Sequence, residues 1–239
     1  MTARESSDGS RVEWRLVTCE FALGTVSGSG RASALVTSAT AFRSAPEFLG
    51  MSESVEFDVD AWESELAANR EEKDEFFGSH PHSPIPKEER DDFEGLRYFE
   101  PDHGYRVTAI VHLTESGDAD VHRMETSTGG EQRYLKVAEL AFELDGETHS
   151  LSGYRQEGEE RESLFVPFRD KTTGQQTYGA GRYMELEAES DLEDGQEIPV
   201  DFNLAYNPFC AFSDAYACPL PPEENWLETT IEAGEKDWD

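Results

Sequence analysis

The sequence predicts a mainly β protein, which is an antiparallel β-sandwich or an open β-barrel of about 7–9 strands with one N-terminal helix. Three observations lead to this fold class. Segments after residue 104 alternate apolar and polar residues with a period of two, as half-buried strands do. Turns rich in Gly and Asp separate these segments, and no alternation of strands with helices predicts a parallel sheet. One earlier segment has the capping pattern of a helix.

The helix is predicted at about residues 58–78, in the segment DVDAWESELAANREEKDEFF. Asp60 is expected to cap its N-terminus, because Glu63 follows three residues later as in a capping box. The helix is expected to end at Gly78, since the run HPHSPIP cannot continue it. The apolar residues expected on its buried face are Trp62, Leu66, Phe76 and Phe77.

Seven segments predict strands, and Asp145-Gly146 predicts a hairpin turn between the second and the third of them. In the second strand, the period of two places Ala138, Leu140, Phe142 and Leu144 on one face. The segments are YRVTAIVHL, RYLKVAELAFEL, ETHSLSGYR, ESLFVPF, TYGAGRYMELE, QEIPVDFNL and NWLETTIEA.

The chain is strongly acidic, with 52 acidic and 20 basic residues and a net charge of −32. This charge disfavours binding to nucleic acids and to anionic membranes. Abundant carboxylates, with only five lysines against 15 arginines, are typical of halophilic proteins, in which molar salt screens the repulsion. No apolar run of about 18 residues predicts a membrane span. We therefore expect a cytoplasmic protein of a haloarchaeon.

Residues 1–50 differ in composition from the rest of the chain. They contain five acidic and five basic residues and are rich in Ser, Gly, Ala and Thr, so the entire net negative charge lies in residues 51–239. We expect residues 1–50 to be a disordered extension, or translated upstream DNA with Met51 as the true start. Residues 51–239 are expected to form a single β-rich domain.

Arg182 is the main candidate for a functional residue. In TYGAGRYMELE it lies on the same face as Met184 and Leu186, which are expected to point into the core. A buried guanidinium is costly unless a carboxylate pairs with it, and Asp170 and Asp201 are the nearest candidates. Two interpretations stay open, namely a structural ion pair between strands and an arginine that binds an anionic ligand group in the barrel mouth.

The turn RDKTTG precedes this strand and contains Asp170 and Thr172. Asp170 is expected to accept a backbone N–H two residues on, as in an Asx-turn, in preference to a catalytic role. The turn offers too few ligands to bind a cation. Cys210 and Cys218 are more widely spaced than the cysteine pairs of zinc sites. The sequence therefore predicts no metal site and leaves any cofactor unknown.

The stretch DFNLAYNPFCAFSDAYACPLPPEEN, residues 201–225, combines aromatic, Asn and Pro residues. Its start is predicted to end a strand, and the rest is predicted to be a loop packed down on the β-domain. Its polar residues are expected to form the wall of any site, together with the turn and strand before it. The candidate ligand-binding residues are Asp170, Thr172, Tyr178, Arg182, Asp201, Asn203, Tyr206, Asn207, Glu224 and Asn225.

Three motifs resemble those of a known family. They are SP-IP followed by FEGLRYF, then VPFRDKTTGQQTYGAGRY, then DFNLAYNPFCAFSDAYACPLPPEENWL with IEAGEK. These motifs are similar to those of the bacterial and archaeal proteins grouped as domain of unknown function 1684, over about Trp62 to Lys236. The resemblance implies no catalytic role for any residue. It implies that all ten candidate residues match motif positions of the family, as do Gly181, Cys210 and Cys218.

The sequence predicts a protein that binds a small molecule in a pocket near Arg182 and the loop of residues 201–225. Aromatic walls with a few polar groups are usual in such pockets. One alternative is a hydrolase-type enzyme with Asp170, Asp201 or Glu224 as acid or base. The other is a purely structural or interaction protein, in which these side chains satisfy backbone groups. Enzymatic activity and oligomeric state are left open.

Overall fold

The computed structural model describes residues 57–114, 121–157, 163–187 and 192–238, together with the backbone of residues 20 and 21. The rest of residues 1–50 lies outside the described residues, so the expectation for this segment stays a prediction. The elements are β1 (Glu20–Phe21), α1 (Val59–Ser79), β2 (Arg106–Leu113), β3 (Val121–Glu125), β4 (Glu131–Leu144), β5 (Glu147–Gln156), β6 (Leu164–Phe168), β7 (Arg182–Leu186), β8 (Glu197–Asp201) and β9 (Tyr216–Ala217).

Seven of the strands form one antiparallel sheet in the order β7-β6-β5-β4-β2-β8, with β3 also paired to β4. β4 is long enough to pair with β3 through its first half and with β2 through its second half. The two-residue strands β1 and β9 pair separately. The predicted mainly β fold class is confirmed, in its open-barrel form, with one helix on the N-terminal side.

The sheet is curled into a half-barrel. β7 and β8 lie at opposite edges, yet Tyr206, five residues after the end of β8, exchanges two backbone hydrogen bonds with Tyr183 of β7, at 2.9 and 3.0 Å. A bulge in β4 between Lys136 and Ala138 lies where this strand changes partner. Bulges increase local twist and bend a strand, so the bulge contributes to the curl that brings the two edges together.

The sheet buries apolar residues on both of its faces. Val166 and Met184 belong to the large core on the inner face, whereas their chain neighbours Phe165 and Tyr183 belong to a second, aromatic core on the outer face. The predicted inner face of β4 is confirmed, because its four residues are all buried. The second core also contains Tyr216 and Cys218, so the loop after Tyr206 packs down on the sheet, as predicted.

Helix α1 lies on the N-terminal side of the domain, and its bounds, Val59–Ser79, agree to within one residue with the predicted range. Its N-cap is Asp58, whose carboxylate accepts the backbone N–H of Ala61 at 3.0 Å. The predicted cap, Asp60, is therefore wrong, because the extended backbone that a capping residue needs occurs at Asp58 and Asp60 lies within the first turn. Leu66 and Phe77 are buried, as expected for the apolar face.

The turn at Asp145-Gly146 is confirmed. Both residues have positive φ, 53° and 79°, as a tight two-residue hairpin turn requires. Strand β3 was not among the predicted strands, since VHRME alternates only weakly between apolar and polar residues.

The predicted strand NWLETTIEA does not form. Residues 226–238, here called the C-terminal segment, make isolated bridges to residues 98 and 169 instead of a continuous ladder. Their carbonyl groups accept hydrogen bonds from the backbone N–H groups of Lys171 and Phe99 and from the side chain of Arg182. The segment follows an irregular path because the carbonyl groups that bond to Arg182 are then not used in a strand ladder.

The close packing of the C-terminal segment on the sheet edge predicts a large cost for Gly234→Ala. Gly234 has φ of 77°, and a Cβ atom there would lie 2.5 Å from the carbonyl oxygen of Ala205. Gly195 has a similar φ of 81° with no atom within 4 Å, so Gly195→Ala is a matched control. We expect urea unfolding to show a loss of more than about 3 kcal/mol for Gly234→Ala and of about 1–2 kcal/mol for the control. Equal losses would contradict the described packing.

Candidate functional site

Arg182, at the start of β7, lies in the interior of the half-barrel and is only 1% exposed. Its Nη2 donates to the Asp170 carboxylate at 2.8 Å and to the carbonyl oxygen of Ile231 at 2.9 Å. Its Nη1 donates to the carbonyl oxygens of Ala233 and Glu235. Burial lowers the pKa of Arg182, and the negative charge of Asp170 opposes that shift. The guanidinium thus joins a turn of the β-domain to the C-terminal segment.

The predicted burial of Arg182 is confirmed, and so is its pairing with Asp170. The other candidate partner, Asp201, does not contact it; Asp201 accepts instead from the indole Nε1 of Trp62 at 2.7 Å and from the backbone N–H of Asn203 at 2.9 Å. The reason is that Val200 belongs to the inner core, so the side chain of the next residue, Asp201, lies on the opposite face of β8.

The turn before β7 holds Asp170 in place. Its Oδ1 accepts the backbone N–H of Thr172 at 2.7 Å and also the Thr172 hydroxyl, while its Oδ2 accepts from Arg182. The Thr172 and Thr177 hydroxyl oxygens lie 3.0 Å apart. This is the Asx-turn that the sequence predicted, and its carboxylate has charge-assisted bonds on both oxygens.

Asp201 and Asn203 form a second group, close to α1. The Asn203 carboxamide, 2% exposed, donates to the Asp102 carbonyl at 2.8 Å and to Asp201 at 2.9 Å, and it accepts the Asp102 backbone N–H at 3.0 Å. Together with the Trp62 indole, these bonds connect the end of β8 to the helix and to the segment before β2.

A third group surrounds Glu235, which is 1% exposed. Its carboxylate accepts from the ammonium group of Lys73 on α1 and from the backbone N–H of Asn207, the latter at 2.8 Å. Lys73 also lies 4.8 Å from the ring centre of Tyr206. Because the Glu235 carbonyl accepts from Arg182, the candidate residues Tyr206 and Asn207 adjoin the Arg182 network.

Arg70 and Tyr98 lie at the same junction of α1 and the C-terminal segment. Tyr98 forms a backbone bridge with Glu235, and the Arg70 guanidinium lies 4.3 Å from the Tyr98 ring centre. Burial, followed by the charge of Glu235, raises the pKa of Tyr98. The Nε and Nη2 atoms of Arg70, the Tyr98 hydroxyl and the Oδ1 atom of Asn207 are all buried without a hydrogen-bond partner among the described residues.

Glu224 and Asn225 lie on the outer face of the sheet, away from Arg182. Partial burial acts to raise the pKa of Glu224, but a hydrogen bond from Tyr154 at 2.8 Å and the charges of Lys136 and His122 lower it. Asn225 is fully buried and bonds to the Ser152 backbone and to the Pro167 carbonyl at 2.7 Å. The structure therefore does not bring these two residues to the other candidates.

Tyr178 contacts the loop of residues 201–225 at another point. Its hydroxyl donates to the carbonyl oxygen of Cys210 at 3.2 Å, and burial raises its pKa, with the neighbouring Cys210 adding to the shift. The Cys210 thiol is free, and burial raises its pKa. A thiol with a raised pKa is a poor nucleophile at neutral pH.

Sequence reasoning missed four residues of this site: Arg70, Lys73, Tyr98 and Glu235. A signal was present for two of them, because Leu66, Arg70, Lys73 and Phe77 are spaced three or four residues apart and so share one face of α1. Two cations on the buried face of a helix in a highly acidic chain predict carboxylate or ligand partners.

The part of the chain that the structure describes contains no cluster of three or more His, Cys, Asp or Glu residues able to hold a metal ion. Among the same residues, no helix is long and apolar enough to cross a bilayer.

The fold and the site define a class of protein, a half-barrel β-domain with a buried arginine network at its open edge. The chain belongs to the family described as "Protein of unknown function (DUF1684)", whose model matches residues 91–236. The predicted family membership is confirmed.

A solved structure of similar sequence comes from the haloarchaeon Haloarcula marismortui. It is a solution NMR structure of an uncharacterised protein whose sequence is 57% identical to this chain. The alignment covers 74% of this chain and 95% of the Haloarcula marismortui chain, with a TM-score of 0.60. A comparison with curated proteins finds no match.

The Arg182 network predicts a large loss of stability for Arg182→Met. The variant leaves the Asp170 carboxylate and three backbone carbonyls buried without their donor, which costs about 3–5 kcal/mol when one partner of a buried pair is removed. Arg123 forms an exposed ion pair with Glu131, so Arg123→Met should change the free energy of unfolding by no more than about 1 kcal/mol. Urea denaturation measures both, and a loss below about 1 kcal/mol for Arg182→Met would contradict the network's role.

Proposed function

We propose that this protein binds a small molecule at the junction of α1, the segment around Tyr98 and the C-terminal segment, beside Arg182. Tyr206 and Asn207 would line the ligand site. Arg182 and Asp170 would support the wall of the site and would not touch the ligand. The side chains of both already form hydrogen bonds with other groups of the protein. Aromatic rings with a few polar groups are the usual composition of such sites.

The observation that carries this proposal is the concentration of unsatisfied polar atoms at the junction. Arg70, Tyr98 and Asn207 each keep at least one buried polar atom without a partner in the described chain. Leaving such an atom unpaired costs about 1–3 kcal/mol, and more when the group is charged. A ligand that supplies both acceptors and a donor would recover this cost.

A purely structural role is the second candidate, and the saturation of Arg182 favours it. Four protein oxygens accept from its guanidinium, and Asn203 and Asn225 likewise bond to backbone groups. The hydrolase alternative lacks such support, because the carboxylates of Asp170, Asp201 and Glu224 all accept hydrogen bonds from other groups of the protein.

We also propose that the protein works in the cytoplasm of a halophile. The net charge of −32 supports this, because molar salt screens self-repulsion that would destabilise the compact state in dilute buffer. The similarity to a Haloarcula marismortui protein is consistent with the same habitat.

The proposal is tested by a thermal-shift screen in molar potassium chloride, with neutral, cationic and anionic metabolites. Compounds that bind raise the melting temperature by mass action. In Tyr98→Phe the hydroxyl that has no partner is lost, so we expect the apo protein to be as stable as wild type or more stable, while the ligand-induced shift falls.

Tyr154→Phe is the matched control, because it removes a hydroxyl that is bonded to Glu224 on the outer face. It should lose about 1 kcal/mol of stability and keep the full ligand shift. The binding function is rejected, and the structural role is accepted, if no compound class shifts the melting temperature or if Tyr98→Phe destabilises the apo protein as much as the control does.

A further inference from the structure

The unpaired atoms of Arg70 lie on a single edge of its guanidinium. Nη1 donates to the Phe99 carbonyl oxygen at 3.2 Å, whereas Nε and Nη2 are buried and have no partner in the described part of the chain. In an arginine, the Nε and Nη2 hydrogens point in parallel from one side of the planar group. This side edge matches the spacing of two oxygens of one carboxylate.

The ring of Tyr98 packs against this guanidinium. The Arg70 Cζ atom lies 4.3 Å from the ring centre, so the contact with the ring restricts the position of the group. The Tyr98 hydroxyl is itself buried without a partner, and it is a further donor on the residue that packs against Arg70.

The carboxylates of the protein do not use this edge. Those that act electrostatically on Arg70 belong to Glu100, Glu235 and Asp201, and none of them forms an ion pair with it among the described residues. Glu235 is bonded to Lys73 and Asn207, and Asp201 is bonded to Trp62 and Asn203.

We infer that the ligand of this site is a small carboxylic acid, whose carboxylate binds side-on to Nε and Nη2 of Arg70. The inference rests on the binding function proposed above and names its ligand class. The Tyr98 hydroxyl donates to the same carboxylate. The buried Oδ1 atom of Asn207, an acceptor without a partner, selects acids that also carry a hydroxyl or amine donor, as 2-hydroxy acids do.

The first test compares potassium lactate with lactamide, which has the same shape and hydroxyl but no charge. Both are titrated against the full chain in molar potassium chloride, with added potassium chloride as the control for ionic strength. We expect lactate to raise the melting temperature and to give a saturable heat in calorimetry, and lactamide and added salt to do neither. Equal responses to lactate and lactamide would overturn the carboxylate assignment while leaving the binding function in place.

Inorganic phosphate and acetate complete the set of probes. Acetate should bind more weakly than lactate, because it lacks the donor for Asn207. Binding of phosphate without binding of lactate would overturn the inference in favour of a tetrahedral anion. No response to any of these probes also overturns it, and the broader screen then decides separately whether the protein binds neutral or cationic compounds.

The variant Arg70→Lys tests the side edge itself. It keeps the positive charge but removes the two parallel donors, so lactate affinity should fall at least about tenfold. Arg123→Lys, at an exposed arginine of β3, is the matched control and should leave the affinity unchanged. Circular dichroism and the apo melting temperature establish that both variants fold, and an unchanged lactate affinity in folded Arg70→Lys would overturn the assignment.

Discussion

The buried guanidinium of Arg182 is the interaction on which the rest of this structure depends. It is the point where the edge strand β7, the Asp170 turn and the C-terminal segment meet. An open sheet leaves unpaired backbone groups at its edges, and here the C-terminal segment packs beside the β7 end of the sheet, held by backbone hydrogen bonds and by the Arg182 guanidinium. The family motifs around Arg182 and the C-terminus are therefore two halves of one contact.

The same segment connects the fold to the proposed site. Glu235 gives its carbonyl to Arg182 and its carboxylate to Lys73 of α1, so the position of the helix depends on the segment that Arg182 holds. Arg70 lies on the same face of α1, close to the bridge between Tyr98 and Glu235. In the proposed site, a rigid support of this kind keeps the unpaired donors of Arg70 and Tyr98 in position for a ligand. In a flexible segment the same donors would rotate and form hydrogen bonds with water.

The sequence predicted those features that depend on local periodicity. Alternation placed Arg182 beside Met184 on the inner face, and the spacing in RDKTTG predicted the Asp170 turn. It could not predict that NWLETTIEA does not form a strand. The carbonyl groups of that segment accept hydrogen bonds from Arg182, which lies about 50 residues earlier in the chain. The sequence left the choice between Asp170 and Asp201 as the partner of Arg182 open, because the arrangement of strands that are distant in sequence decides it. The roles of Arg70 and Lys73 on the buried face of α1 were missed because the residues that they contact are also distant in sequence.

Native-state hydrogen exchange of the C-terminal segment tests most directly whether Arg182 holds it as part of the core. The amide of Glu235 donates to Ala205, and the amide of Phe99 donates to Gly234, both at 2.9 Å. Both amides should exchange only through global unfolding, with protection equal to that of the β4–β5 ladder. Exchange of these two amides at the rate of a frayed terminus, while β4 and β5 stay protected, would contradict the account.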